Sequence, residues 1–211
     1  MTTVRADLVT AYVLREPGPA PGGQAASQAG DLVGDRAAVQ GVGQGALQAF
    51  ELLQLRRLHP PARGTWQPVM GHVEAGETAV QAAVRELGEE VGLRPGSRAW
   101  RGFWQLEEVH PYFVAELDAV VLGPSFAVLV AQGWEPDLDA EPAPPARLGA
   151  GDSPACASHD AHRWVAGWQA AGAFLWPGQR RSVAEALELL ATRGSALERA
   201  LRLAPPARGD R

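Results

Sequence analysis

The chain contains no lysine, no asparagine and no isoleucine, and only one cysteine and two methionines among its 211 residues. The three missing types share AT-rich codons, so their absence reads as genomic composition bias. All 19 basic side chains are consequently arginine. A lone Cys156 excludes an internal disulfide and fits a reducing compartment. No stretch approaches the roughly 20 uninterrupted apolar residues that span a bilayer. The opening Met1-Thr2-Thr3-Val4-Arg5-Ala6-Asp7 lacks the apolar run of a signal peptide. Positive charge is in deficit too. A formal net charge of −5 argues against a protein that coats nucleic acid or an anionic membrane. The reading is a soluble, cytoplasmic protein, and a compact phosphate-bearing substrate stays compatible with it because local charge and metal ions decide that.

What is present is a globular composition. The 46% hydrophobic share excludes a wholly disordered chain, and the length suits one decorated domain. Two stretches, about 17–46 and 133–157, are rich in Gly, Ala, Gln and Pro and read as flexible insertions. Residues 204–211 read as a disordered tail, leaving 1–203 as a single domain. Between them, residues 8–14, 50–55, 112–115, 120–130 and 163–165 look like strands. A helix is predicted over 179–193, stopped by Gly194. Strands interleaved with two helices imply a mixed α/β sheet covered on both faces.

Residues 71–93 carry the chemistry. Gly71 and Gly76 bracket a loop, and Thr78 with Gln81 forms a capping box that starts a helix. Val80, Ala83, Val84, Leu87 and Val91 recur at helical spacing and face a core. Gly92 stops the helix, and Pro95 prevents an early restart. Glu86, Glu89 and Glu90 stand at i, i+3 and i+4, three carboxylates on one side. Such a cluster stays solvated, takes up protons, or binds a hard cation such as Mg²⁺.

The whole pattern resembles the Nudix box: Gly71, five residues, Glu77, seven residues, then Arg85-Glu86-Leu87-Gly88-Glu89-Glu90-Val91-Gly92-Leu93. The resemblance implies an α/β/α sandwich, with the box as a loop–helix–loop. It also implies Mg²⁺- or Mn²⁺-dependent hydrolysis of a nucleoside diphosphate linked to another group. Carried over by position, Glu86, Glu89 and Glu90 would be the catalytic, metal-binding carboxylates. The Gly71 carbonyl would add a ligand, and Glu77 and Arg85 would form a salt bridge that orients the loop.

Trp66-Gln67-Pro68-Val69-Met70, His159 to Val165 and Leu175 to Arg180 are similar to segments of dihydroneopterin triphosphate and dATP pyrophosphohydrolases. Relatives of that kind carry a glutamate where this chain has Ser158, which leaves the general base open among Asp160, Glu107, Glu108, Glu116 and Glu89. Trp66 and Trp104 are candidates to stack on a base or pterin ring, with core packing as the other reading. Arg56 and Arg57 are candidates to meet phosphates. His72, His159 and His162 read as structural, and Cys156 has no nucleophilic role. The function expected is hydrolysis of a pyrophosphate bond in a nucleoside or pterin triphosphate. Nucleotide sugars, dinucleoside polyphosphates and a non-catalytic nucleotide-binding module are the alternatives. The partners expected are small molecules, and a homodimer stays open.

Overall fold

The computed structural model describes residues 2–16, 49–59, 63–109, 111–115, 118–139 and 159–204. Two sheets organise them. The larger has the order β10-β3-β2-β9-β6, from β2 (Leu8–Arg15), β3 (Glu51–Arg57), β6 (Trp100–Gln105), β9 (Ser125–Val130) and β10 (His159–Ala166). Two short strands, β4 (Trp66–Gln67) and β5 (Val69–His72), lie either side of Pro68. β4 pairs with β3, whereas β5 crosses to pair with β2, Met70 opposite Thr10. Proline donates no hydrogen bond, so the break falls where the chain changes neighbours. A small sheet, β1-β8-β7, joins β1 (Thr3–Arg5), β8 (Ala119–Val121) and β7 (Tyr112–Val114).

Apolar side chains alternate across the large sheet and feed two cores. On one face Tyr12, Leu14, Leu52 and Leu129 pack with Val183, Leu187 and Leu190. These three belong to α3 (Pro177–Ala191), which is flanked by α2 (Gly167–Ala173) and α4 (Ala196–Leu201). On the other face Val9, Val13, Leu53 and Val128 pack with Ala83, Leu87 and Val91 of α1 (Ala79–Val91). The result is the α/β/α sandwich. Among the described residues, no helix is long and apolar enough to cross a membrane.

The structure corrects several sequence expectations. The run 120–130 is two strands separated by Leu122-Gly123-Pro124: β8 runs parallel to β1 in the small sheet, while β9 enters the large one. Gly123 marks a close approach, since an added Cβ would sit 3.0 Å from the Leu8 carbonyl oxygen. The start of the expected 133–157 insertion is packed. Trp134 and Leu138 lie against the α1 core, and the Asp137 N–H donates to the Val91 carbonyl at 3.1 Å. The rest of that segment, the 17–46 stretch and the 204–211 tail fall wholly or mostly outside the described residues.

β6 has no sequence counterpart among the expected strands. Gly102 interrupts its pattern, and the Trp104 ring lies where a Gly102 side chain would be, 2.1 Å from an added Cβ. The indole replaces the missing side chain, as aromatic neighbours do beside strand glycines.

Candidate metal and substrate site

Local sequence builds α1. The Thr78 hydroxyl accepts from the Gln81 N–H, and the Gln81 side chain accepts from the Thr78 N–H at 2.8 Å, closing the capping box. Gly92 ends the helix at φ 68°, a left-handed value that glycine adopts without steric penalty. The helix then places Glu90 between Met70 of β5 and His159 of β10.

Arg85 is the hub of the loop preceding α1. Its guanidinium donates to both carboxylate oxygens of Glu77 at 3.1 Å and to the His72 carbonyl at 2.7 Å, tying loop to helix. It also reaches Glu86 Oε1 at 2.7 Å and Glu89 Oε2 at 3.0 Å. Burial works against the charge on Arg85, but Glu77 and Glu86 outweigh it and raise its pKa.

Glu90 points elsewhere. Its Oε2 accepts from the Met70 N–H at 3.3 Å, and Oε1 lies 3.7 Å from His159 Nδ1. The Gln67 amide nitrogen is 2.9 Å from His159 Nε2. With that amide donating, the ring proton sits on Nδ1 and faces Glu90. Burial drives the His159 pKa down to about 4, so the ring is neutral near pH 7. The Glu90 side chain is only 10% exposed, and burial, joined by the Glu86 charge, raises its pKa well above the usual range. The Met70 N–H and the Arg57 charge offset only part of this. Burial likewise pushes Glu86 up to about 7, against the opposing pull of Arg85. Gly71 is pressed against that carboxylate, 1.8 Å from an added Cβ to Glu86 Cδ.

The three glutamates thus share one end of α1 but do not form the converged triad that their spacing implies. Among the described residues, no three carboxylate, imidazole or thiol groups are arranged to hold a metal ion. The reason is Arg85, whose guanidinium takes Glu86 and Glu89 while Glu90 turns to β5. The donor set nevertheless fits a hard divalent ion: carboxylate oxygens, largely buried, with Glu90 lacking a cationic partner in hydrogen-bond contact among the described residues. Glu86, Glu89, Glu90 and Gly71 are the residues that would hold it.

Other candidates fall elsewhere. Trp104 is 1% exposed, with its indole N–H donating to Glu198 at 2.8 Å, so it is a core aromatic and is not available to stack on a ligand. Arg56 and Asp160 form a double hydrogen bond, both at 2.8 Å, which uses the charge each was expected to offer phosphate or water. The Glu107 and Glu108 N–H groups donate to Glu185 of α3, and Glu108 also pairs with Arg181. Trp66 is half-buried beneath the Arg163 guanidinium. Cys156, Ser158 and Glu116 lie outside the described residues. By sequence His159 reads as structural, and its approach to Glu90 joins positions too far apart in the chain to leave a local signal.

Comparison with known proteins agrees with this geometry. The chain belongs to the NUDIX domain family, whose model matches residues 43–186. Over 113 residues it is 38% identical to an octanoyltransferase of Myxococcus xanthus, covering 53% of this chain and 25% of that protein. Over 111 residues it is 33% identical to the RNA pyrophosphohydrolase of Francisella tularensis subsp. mediasiatica, covering 50% of this chain and 64% of that one. The chain therefore spans less than two thirds of either relative. The solved C. elegans Ap4A hydrolase binary complex aligns with a TM-score of 0.54 at 16% identity, over 88% of this chain and 98% of that chain, a likeness of fold. Their names differ in substrate; the family rests on the domain match and the fold on the structural likeness.

Proposed function

We propose that this protein hydrolyses a pyrophosphate bond in a nucleoside or pterin triphosphate with the help of Mg²⁺ or Mn²⁺. The observation that carries the reading is Glu90. It is a buried carboxylate beside a second one, Glu86, on the family's box, and no arginine is in hydrogen-bond contact with it among the described residues. A bound divalent ion supplies positive charge against phosphate oxygens and acidifies water.

The chain's own residues supply the rest. Glu86, Glu89 and Glu90 provide fixed negative charge for that ion, and Gly71 leaves the room that a side chain would fill. Arg85 and Glu77 hold the loop against α1, which sets the distance between Gly71 and the carboxylates. Neutral His159, oriented by Gln67, keeps the Glu90 carboxylate in place. A panel of nucleoside triphosphates, neopterin triphosphate, nucleotide sugars and dinucleoside polyphosphates, incubated with Mg²⁺ and resolved by product, tests the reading. Release of phosphate or pyrophosphate from the triphosphates supports it. Nucleotide binding without turnover would instead identify a sensor module.

A further inference from the structure

Arg163 is an exposed guanidinium on β10 with no carboxylate paired to it among the described residues. Its Nε donates to Gln54 Oε1 at 2.8 Å, and its Cζ lies 4.2 Å from the centre of the Trp66 ring. Gln54 is fully buried, and its own amide donates to the Ala173 carbonyl at 2.7 Å, so the group that aims Arg163 is itself held from behind. Desolvation on the side that Gln54 and Trp66 cover lowers its pKa. An arginine oriented by a buried glutamine, laid over an indole and, among the described residues, left with both terminal nitrogens unclaimed, costs ordering entropy without the return of an ion pair.

Its position relative to Glu90 is fixed twice. Arg163 lies four residues along β10 from His159, and Trp66 lies four residues along β4–β5 from Met70. His159 and Met70 both approach the Glu90 carboxylate. With a bulge at Asp160 and the break at Pro68 each path is shorter than four regular strand residues, so the Arg163–Trp66 pair lies on the order of 10 Å from the carboxylates. A phosphate beside Glu90 cannot also reach Arg163, but the ring at the other end of a nucleotide can.

Building on the hydrolase reading above, we propose that Arg163 selects the substrate ring. Its two free nitrogens donate to a carbonyl oxygen and the neighbouring ring nitrogen of a 6-oxopurine or 4-oxopteridine, with Trp66 supplying aromatic contact beside it. Guanine presents that pair of acceptors to an arginine fork, whereas adenine presents an amino donor at the same place, facing other donors.

The test compares the full-length protein with Arg163→Met and Arg163→Lys. One arm measures kcat/KM for dGTP and dATP with Mg²⁺, and a second titrates GMP and AMP by calorimetry in EDTA. The wild type should prefer the guanine member in both arms. Both variants should lose about 10- to 100-fold of that preference, the scale of one two-point contact, with adenine little changed. Equal losses for guanine and adenine, rescued by Lys, would make Arg163 a phosphate contact and overturn the inference. So would an unchanged preference in the variants. Absence of turnover with every nucleotide would defeat the hydrolase reading alone, because the GMP and AMP titrations still decide the role of Arg163.

Discussion

Two buried glutamates in this molecule have opposite surroundings. Glu198 on α4 is 5% exposed at its side chain, and Glu90 on α1 is 10% exposed. Burial raises the pKa of Glu198, but the Gly194 N–H at 3.1 Å, the Trp104 indole N–H at 2.8 Å and the Arg202 charge outweigh it, leaving a net lowering. Glu90 has one long backbone hydrogen bond, a neutral imidazole and a like-charged neighbour, so burial wins and its pKa rises. Glu198 is a fastener, joining α4 to β6 through donors that satisfy its charge. Glu90 is held in position with no contacting counter-ion among the described residues, the condition in which a cation gains most by binding.

Substitutions at the two positions should therefore fail in opposite ways. The largest expected effect is on turnover in Glu90→Gln. It should fall by about two orders of magnitude or more, the scale of one well-placed electrostatic group, while the thermal midpoint holds or rises because a neutral amide removes the buried charge. Turnover and melting measured on one preparation check both halves. Gly71→Ala should come next. The new methyl group must displace the Glu86 carboxylate, so turnover and Mn²⁺ affinity should each drop by about tenfold, the size of a misplaced positioning group. Kinetics at several Mn²⁺ concentrations reads the two together.

Glu198→Ala should act the other way. It strands the Trp104 and Gly194 donors and costs about 1–3 kcal/mol of stability in denaturant unfolding, with kcat unchanged. The smallest effect is on pH dependence. Glu198 has a folded pKa below its unfolded value, so its contribution is present above an unfolded pKa of about 4.3 and is lost as pH falls through the folded value. Glu86, at about 7 when folded, has the reverse sign. The folded state holds its proton more tightly, so in chelator its favourable contribution declines as pH rises toward 7. Melting curves from pH 4 to 8 in EDTA should therefore be flatter for Glu86→Gln than for the wild type.

Legibility in the sequence followed the range of the interaction. The α1 helix was readable end to end because Thr78, Gln81 and Gly92 act on backbone groups a few residues away. The strand at 100–105 was not, because Gly102 looks like a break until the Trp104 ring is seen to cover it. Only 163–165 of β10 stands out, since His159, Asp160 and His162 are polar residues whose partners lie on β4, β3 and the 131–139 segment. The α2 helix, with two glycines in seven residues, offered no periodic stripe.

The site divides in the same way. Spacing alone placed Glu86, Glu89 and Glu90 on one side of a helix. It gave no sign that Arg85 would fork between two of them, or that His159 would meet the third. Trp104 and Arg56 were candidates by residue type, and tertiary partners, Glu198 and Asp160, assign them other work.

If the Glu90 carboxylate is kept for a divalent ion, direct Mn²⁺ titration monitored by electron paramagnetic resonance reads that without substrate. Wild type and Glu198→Gln should bind alike, and Glu90→Gln should bind at least about tenfold more weakly. Equal Mn²⁺ affinity in Glu90→Gln and the wild type would contradict the account.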